Sequence, residues 1–384
     1  MTRPTHALGL RVLAALAGAA LVVSCSGAED DSADEAVVVG GTTDHSGSDQ
    51  SGTGPSDTGR PSVDTVVASG LTTPWGLAFL PDGSTLVSER DTAAIKAVDG
   101  DGTVATVGTV PGVRPSSEGG LLGIAVGPGQ AQRSWVYAYY SAAEDNRVVR
   151  MPYDGDQLGR PQLVLGGIPM SDFHNGGRVE FGPDGMLYIS TGDATEGGNA
   201  TDPDSLGGKI LRVTPTGDPA PGNPTAGSPV WSSGHRNVQG IAWDDSDQLW
   251  ASEFGQDTWD ELNAIEAGNN YGWPEYEGTV GEAGVTDPQV QWKPEVASPS
   301  GIAYADGAIW MAGLRGERLW RIEVSAGEVT GEPAAFFTEQ YGRLRTVVTA
   351  PDGSLWLTTS NTDGRGTPRT GDDKILRVEI GPAS

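Results

Sequence analysis

A sixfold repeat constrains the fold of this 384-residue chain more than any other feature of its sequence. Most copies consist of a small residue, an apolar stretch, a turn that resembles Pro-Asp-Gly, and a second apolar stretch rich in aromatic residues. Asp-Gly supplies the positive φ that a tight hairpin turn needs, and Val, Ile, Tyr and Trp favour the flanking strands. The copies begin 45 to 62 residues apart, at Gly76, Gly123, Arg178, Gly240, Gly301 and Thr346.

This repeat predicts an all-β fold, a six-bladed β-propeller of four-stranded antiparallel sheets. The intervals leave room for further strands in each blade, such as the segment Gly208–Val213. We expect the ring to close where the last strand, Lys374–Val378, joins the blade that contains Thr65–Val67. An array of β-sandwiches is the alternative for so many short strands, but it would not require the repeat to recur at such regular intervals.

Residues 1–25 are interpreted as a lipoprotein-type signal peptide. Two arginines flank an apolar run from Val12 to Val23, which is short for a membrane span. The run ends in a segment that resembles a bacterial lipobox, where cleavage would leave a lipidated Cys25 at the N-terminus. The expectation is an exported protein anchored by lipid to the outer face of the cytoplasmic membrane. An ordinary secretory signal that ends near a cysteine is the alternative.

Composition divides the rest of the chain into a tether and a folded domain. Residues 26–60 are rich in Ser, Gly and acidic residues and bury too little apolar surface to fold, so we expect a disordered tether. Residues 61–381 are expected to form the propeller. The formal net charge of −27 argues against a nucleic acid partner. A single cysteine excludes an intramolecular disulfide and a Cys-x-x-Cys-His haem attachment.

Two histidines belong to the propeller, and one of them is a candidate catalyst. His174 lies in Ser-Asp-Phe-His-Asn-Gly-Gly-Arg, just before the third repeat. Imidazole side chains titrate near neutral pH, so a general base is plausible there. The alternative is a loop histidine that only makes hydrogen bonds. His235 precedes the fourth repeat and is expected to orient its loop.

Arginines stand next to the later repeats. Arg236 and Asn237 precede the fourth repeat, and Arg315 ends the fifth hairpin. Arg343 and Arg345 are two residues apart in an extended segment, so they point to the same side and repel each other unless an anion lies between them. A ligand with several carboxylates would form charge-assisted hydrogen bonds worth about 1.5–3 kcal/mol each. Ordinary surface salt bridges are the alternative.

An acidic segment after the fourth repeat is a candidate site for a hard cation. Ser252–Asp257, followed by Asp260 and Glu261, places four carboxylates and several backbone carbonyls close together. An irregular loop of this kind favours calcium over magnesium, although EF-hand spacing is absent. A solvated acidic surface is the alternative.

Together these motifs resemble the PQQ-dependent glucose/sorbosone (aldose sugar) dehydrogenases, where PQQ is pyrroloquinoline quinone. The matching segments run in family order over nearly all of residues 61–380, and their combination is far more specific than any one of them. They are Pro74–Leu77 with Ser88–Arg90, Gly119–Gly123, His174 with Gly177–Arg178, Gly208–Arg212, Gly234–Asn237, Asp260–Asn263 with Asn270–Pro274, Pro299–Gly301, and Arg343–Arg345.

The resemblance implies a role for each candidate residue. His174 would be the base that takes the proton of the sugar's anomeric hydroxyl while hydride passes to the quinone. Arg236 would stabilise the negative charge that develops on the quinone. The backbone carbonyls of Gly255 and Gln256 would bind the calcium that polarises PQQ. The residues that would hold the cofactor are Asn237, Arg315, Arg343, Arg345 and Trp292, the last at a spacing shifted by about one residue.

This chain departs from the glucose-oxidising branch of the family at positions near the sugar. Glu118 stands near the sugar position where that branch tends to carry a glutamine, and Phe173 stands where it has an aspartate. The long insertions of that branch are also absent, so the chain is closer to the broader aldose branch. Arg315 replaces a common lysine, which keeps the charge but changes its geometry.

The sequence therefore predicts an enzyme that oxidises aldose sugars to lactones with PQQ and Ca²⁺. With no haem motif, its electrons would pass to an external acceptor, a quinone or a redox protein. A non-catalytic propeller that binds a carbohydrate or protein is the main alternative, because a fold does not determine a function. A metal-dependent lactonase is the third reading, and it would have no need for Arg343 and Arg345.

Overall fold

The computed structural model describes residues 36–39, 59–130 and 133–381 of the chain. Within them the strands build six antiparallel sheets in a ring, which confirms the predicted six-bladed β-propeller. Helix α1 (Gly198–Thr201) has four residues, and none of the described residues belongs to a helix long and apolar enough to cross a membrane. The predicted signal peptide and Cys25 lie outside the described residues.

Strands β1 (Val37–Val38) and β2 (Pro61–Ala68) precede the first blade, and blades 1 to 3 then follow the chain from the inner strand outward. Blade 1 comprises β3 (Pro74–Phe79), β4 (Thr85–Glu89), β5 (Ala94–Val98) and β6 (Val104–Thr109). Blade 2 comprises β7 (Leu121–Gln130), β8 (Arg133–Ser141), β9 (Asn146–Tyr153) and β10 (Gln162–Ile168). Blade 3 comprises β11 (Val179–Phe181), β12 (Leu187–Ser190), β13 (Lys209–Val213) and β14 (Val230–Ser233).

Blades 4 to 6 follow the same plan, except that β1 adds a fifth strand to blade 4 and β2 supplies the fourth strand of blade 6. Blade 4 comprises β15 (Val238–Trp243), β16 (Leu249–Glu253), β17 (Asp260–Ile265) and β18 (Val290–Trp292). Blade 5 comprises β19 (Pro299–Ala305), β20 (Ala308–Gly313), β21 (Arg318–Ser325), β22 (Glu328–Val329) and β23 (Ala334–Phe336). Blade 6 comprises β24 (Leu344–Thr349), β25 (Leu355–Thr359) and β26 (Ile375–Ile380).

The first two strands of every blade are the six predicted hairpins, and the predicted strand at Gly208–Val213 is β13. Blade 6 is completed by β2, in which Val66 pairs with Leu376 of β26. The N-terminal and C-terminal strands of the propeller thus share one sheet, as predicted. Sharing that sheet closes the ring, because inner strand β24 also packs against β3 of blade 1.

Apolar side chains fill the space between neighbouring blades. The described residues form six buried clusters, one at each junction of the ring. Large aromatic side chains contribute much of the buried area, and Trp75, Trp250 and Trp310 are fully buried. Because each cluster is shared by two sheets, every blade depends on both neighbours for its core.

Small residues and serines let neighbouring inner strands approach closely. A Cβ atom on Gly123 would lie 2.3 Å from the carbonyl oxygen of Gly177, and one on Gly240 would lie 2.3 Å from that of Ser300. The buried hydroxyl of Ser252 in blade 4 donates a 2.6 Å hydrogen bond to the same carbonyl oxygen of Ser300 in blade 5. These contacts set the spacing of the blades at the place where the loops of the site begin.

Four residues inside the predicted tether, Ala36–Val39, are ordered against blade 4. Strand β1 pairs antiparallel with β18, with Val38 opposite Val290. Ala36 and Val38 also pack against the core shared by blades 4 and 5. An aliphatic segment that adds a strand to an exposed sheet edge was not expected from the polar composition around it. The rest of the predicted tether up to residue 58 lies outside the described residues.

Candidate active site

A cavity of about 640 Å³ lies at one end of the ring. It is lined by the connections from the second to the third strand of a blade, and by those that lead from one blade into the next. In an antiparallel blade both kinds of connection emerge at the same end, opposite the hairpin turns of the repeat. The lining includes Glu118, Phe173, His174, Arg236, Asn237, Gly255, Gln256, Arg315, Arg343 and Arg345, so the structure brings these predicted site residues together.

His174 is oriented by a buried carboxylate. Its Nδ1 lies 2.8 Å from Oδ1 of Asp193, which is 1% exposed. The other oxygen of Asp193 accepts a 2.8 Å hydrogen bond from Nε1 of Trp273, and the backbone N–H of Thr195 donates to Oδ1 at 2.7 Å. A carboxylate at Nδ1 selects the tautomer in which Nδ1 carries the proton, so Nε2 is left able to accept one. His174 has a φ of 57°, a left-handed conformation that costs a non-glycine residue energy and is typical of functional sites.

Arg343 and Arg345 lie together around one buried carboxylate. Nε of Arg343 is 2.9 Å from Oδ2 of Asp363, and a terminal nitrogen of Arg345 is 3.7 Å from the same oxygen. Arg345 also donates to Oε1 of Gln239 at 2.8 Å, while its buried Nε has no partner among the described residues. Two guanidinium groups that share one carboxylate leave an excess positive charge, and an unpartnered donor, in the cavity.

Burial shapes the ionisation of this cluster. Burial lowers the pKa of Arg345 to about 9, although the charge of Asp363 opposes the shift. Burial alone would raise the pKa of Asp363, but Arg345 and Arg343 hold it below its usual value. Removing charged groups from water is costly unless they are paired, so an anion in the cavity would stabilise both arginines.

Arg236 approaches the cavity from the connection into blade 4. Its guanidinium lies 5.5 Å from the ring centre of Trp273, within the range of a cation–π contact. One terminal nitrogen donates to the carbonyl oxygen of Phe254 at 3.3 Å, and Nε is buried with no partner among the described residues. Burial lowers the pKa of Arg236. Neighbouring Asn237 accepts a 2.9 Å hydrogen bond from the backbone N–H of Gly176 and so ties this connection to the loop of the candidate base.

The mouth of the cavity carries Glu118, Phe173 and Arg365. Glu118 accepts a 3.3 Å hydrogen bond from the backbone N–H of His174 and pairs with Arg365 at 2.9 Å. Phe173 is 41% exposed, and its ring centre lies 5.7 Å from the guanidinium of Arg365. Arg315 is exposed and lines the cavity as a further cation. The mouth thus combines an apolar face with hydrogen-bonding groups of both charges.

The carbonyls of Gly255 and Gln256 belong to the loop between β16 and β17. Asp260, at the end of this loop, is 1% exposed and accepts hydrogen bonds from the backbone N–H groups of Gly255 at 3.0 Å and Ser298 at 2.7 Å. Burial raises the pKa of Asp260 to about 7. Across the described part of the chain no three His, Cys, Asp or Glu side chains are grouped to hold a metal, so a cation here would depend on backbone oxygens.

Trp292 is not brought to the cavity, which corrects its predicted contact with the cofactor. Its side chain is fully buried in the core between blades 4 and 5, with its ring centre 5.7 Å from that of Trp320. The physical reason is its position in β18, because the cavity is built by connections and inner strands. His235 is buried as well, between Ser232 and Glu253, each 2.8 Å from one ring nitrogen, and these contacts fit the structural role predicted for it.

The sequence analysis did not single out Gln239, Asp363 and Arg365, which line the cavity, or Asp193, which orients His174. Asp193 lies in the connection between the second and third strands of blade 3, as Arg90 does in blade 1, and this shared location could have revealed it. Asp363 and Arg365 occupy the corresponding connection of blade 6. Gln239 lies inside β15 and carried no signal, because its contact with Arg345 joins residues 106 positions apart.

Comparisons with known proteins show which families of enzymes this chain is similar to. The sequence model of the family described as Glucose / Sorbosone dehydrogenase matches residues 71–376. The structure of the PQQ-bound form of aldose sugar dehydrogenase from Streptomyces coelicolor is similar, with 58% identity and a TM-score of 0.83 over 85% of this chain and 100% of that chain. Aldose sugar dehydrogenase YliI of Escherichia coli is 31% identical over 78% of this chain and 90% of its own. Quinoprotein glucose dehydrogenase B of Acinetobacter calcoaceticus is 30% identical over 57% of this chain and 54% of its own.

Proposed function

The chain belongs to the glucose/sorbosone dehydrogenase family, and on this premise we propose that it oxidises aldose sugars at the anomeric hydroxyl with PQQ and calcium. Loss of the hydroxyl proton and of the hydride at C1 converts the sugar into its lactone. The two electrons then leave to an external acceptor, a quinone or a redox protein. The observation that carries this proposal is the convergence of His174, backed by Asp193, with six arginines in one cavity.

The cavity suits an anion with several carboxylates, as PQQ is. Six arginines and three carboxylates line it, in a chain whose net charge is −27. The unpartnered Nε donors of Arg236 and Arg345 add to this fit. When bound, PQQ supplies the two-electron acceptor that no amino-acid side chain offers. Its carboxylates and carbonyls would be held by the residues predicted for that purpose, Asn237, Arg315, Arg343 and Arg345.

His174 is the group that removes the sugar's proton. Its Nε2 accepts the proton of the anomeric hydroxyl, and Asp193 stabilises the imidazolium that results. Arg236 contributes a fixed positive charge where negative charge develops. Trp273 makes a cation–π contact with Arg236 and a hydrogen bond to Asp193, so one side chain helps to position both Arg236 and the partner of His174.

Glu118 and Phe173 contact the sugar. The exposed ring of Phe173 offers an apolar face to a pyranose, and Glu118 accepts hydrogen bonds from its hydroxyl groups. Arg365 fixes the orientation of Glu118. The printed names of the relatives cover both aldose sugar and glucose dehydrogenases. The substitutions at these two positions favour a broader range of aldoses than glucose alone.

Calcium is proposed at the carbonyl oxygens of Gly255 and Gln256, next to the space for the cofactor. Both residues line the cavity, and backbone oxygens are ligands that calcium accepts readily.

The proposed location of the enzyme is the outer face of the cytoplasmic membrane, with a lipid anchor on Cys25. That part of the proposal rests on the lipobox-like segment alone.

Reconstitution tests the function. The purified full-length protein is supplied with PQQ and calcium, and reduction of a dye is followed with a panel of aldoses. We expect turnover with several sugars and none without PQQ. Absence of PQQ-dependent turnover with every sugar would overturn the proposal and favour a binding module.

A further inference from the structure

The loop between β16 and β17 is organised by a carboxylate that is distant in sequence. Glu277, in the connection between β17 and β18, directs Oε1 at a run of four consecutive backbone N–H groups. The donors are the N–H of Gln256 and the N–H groups of Asp257, Thr258 and Trp259, and the last three lie 3.1, 3.1 and 3.2 Å from the oxygen. One oxygen thereby fixes the orientation of four successive peptide planes.

This orientation determines where the loop's carbonyl groups point. In a trans peptide the N–H of one residue and the C=O of the residue before it point in opposite directions. Because the N–H groups of Gln256 and Asp257 face Glu277, the carbonyl groups of Gly255 and Gln256 face away from it. The preceding peptide shows the same relation, since Gly255 N–H points to Asp260 while the carbonyl oxygen of Phe254 accepts from Arg236 in the cavity.

The two carbonyl oxygens are available for a ligand. Among the described residues no donor makes a hydrogen bond to the carbonyl oxygen of Gly255 or Gln256. Glycine is required at 255, because a Cβ atom there would lie 2.5 Å from Oε1 of Glu277 and 1.7 Å from the carbonyl oxygen of Trp259. The loop is therefore closed upon Glu277 and leaves two backbone acceptors without a protein partner.

We propose that Glu277 is the positioning residue of the calcium site. It fixes the peptides whose carbonyl groups, those of Gly255 and Gln256, would bind the ion, while it contributes no ligand itself. Its negative charge also polarises the peptides it binds, which increases the electron density on their carbonyl oxygens and strengthens them as ligands for a hard cation. The inference rests on the calcium site proposed above and adds to it a residue that the sequence did not single out.

The test compares Glu277→Gln and Glu277→Ala with Glu275→Gln, an exposed glutamate two residues earlier that serves as the matched control. Calcium binding to the full-length protein is measured by titration calorimetry with PQQ present. Hydrogen exchange of the peptide that contains residues 254–259 is measured without calcium. We expect the Kd for calcium to rise about 10- to 100-fold in both Glu277 variants. The loop should exchange faster, activity should recover at high calcium, and the control should match the wild type.

Unchanged calcium affinity in Glu277→Ala would overturn the proposal, and so would a loss of activity that no calcium concentration restores. Wild-type protein that binds no calcium yet turns over sugar with PQQ would remove the cation site and leave the dehydrogenase intact. Wild-type protein that binds calcium through Glu277 but oxidises no sugar would support the positioning role and remove the dehydrogenase.

Discussion

Buried carboxylates stand behind the groups that face the cavity. Asp193 orients His174, Asp363 lies between Arg343 and Arg345, and Asp260 holds the loop of the proposed cation site. Each carboxylate accepts hydrogen bonds from several donors, so the side chains in front of it have little freedom. Reacting groups that are fixed before the substrate binds lose less entropy at the transition state.

Replacing His174 by alanine should lower kcat by about 10²- to 10⁴-fold, because the hydroxyl proton would lose its acceptor. The affinity for PQQ should change little, since the arginines remain. Asp193→Asn should also lower kcat, because an amide cannot stabilise the imidazolium. The control is Asp184→Asn, in the hairpin turn at the other end of the same blade. Steady-state kinetics with a dye and a PQQ titration check this, and wild-type kcat in His174→Ala would remove the base from the mechanism.

Replacing Arg343 or Arg345 by methionine should weaken PQQ binding by roughly 10- to 100-fold, the value of one charge-assisted hydrogen bond. Lysine at either position should lose less, because the charge remains. Arg377→Met removes a surface arginine of the same blade that pairs with Asp64 and Asp352, and it should leave PQQ binding unchanged. Fluorescence titration of the cofactor measures each Kd. Equal affinities in all these variants would mean that the pair serves only the fold.

Among elements, the connections that emerge at one end of the blades determine the site. The hairpin turns carry the repeat, while the second-to-third connections and the passages into the next blade carry the candidate functional residues. The inner strands also change register near their start in blades 1, 2, 4, 5 and 6. Such bulges redirect side chains and are common beside active sites. One of them positions Arg345 at the beginning of β24.

Gly240→Ala tests the close approach of the inner strands. Its added Cβ atom would lie 2.3 Å from the carbonyl oxygen of Ser300, so the strands must separate and the free energy of unfolding should fall by about 2–4 kcal/mol. Gly100→Ala is the control, because apart from its two chain neighbours no described residue places an atom within 4 Å of a Cβ atom there. Urea unfolding measures both variants, and equal stability would contradict the argument.

For the molecule as a whole, a buried arginine and a glutamate near the start of β11 lie outside the candidate site. Arg178 stacks 4.4 Å from the ring centre of Trp75 and donates to the carbonyl oxygen of Gln239 and to the hydroxyl of Thr346. Two residues after Arg178, in β11, Glu180 lines a smaller cavity of about 350 Å³ formed by the inner strands. Burial raises the pKa of Glu180 to about 7, which Arg178 partly offsets.

Glu180 should therefore make stability depend on pH. Its pKa rises from 4.5 to about 7 on folding, so the folded state binds more protons in this interval and the free energy of unfolding falls as pH rises through it. Glu180→Gln removes this contribution and should stabilise the protein by about 1–3 kcal/mol more at pH 8 than at pH 4.5, relative to the wild type. Urea unfolding at both pH values measures the difference, and an equal effect at both would contradict the assignment.

Much of the site could be predicted because loops at equivalent places in a propeller converge whatever their distance in sequence. His174, Arg236 and Arg345 were found in this way. The partners that orient them were not, because a contact such as that between Gln239 and Arg345 depends on how neighbouring blades pack. Trp292 shows the opposite error, since its place beside motif residues did not reveal that β18 lies away from the cavity.

The sequence by itself determined the number of blades, the hairpins and the closing of the ring, because turn residues and strand periodicity act locally and repeat six times. Only the tertiary structure decided which acids stand behind the cations, which tautomer His174 adopts, how Glu277 turns the carbonyls of a distant loop, and that Ala36–Val39 pairs with β18. These features join groups far apart in the chain, and their energies depend on burial and on distances of a few ångströms, which exist only once the blades have packed.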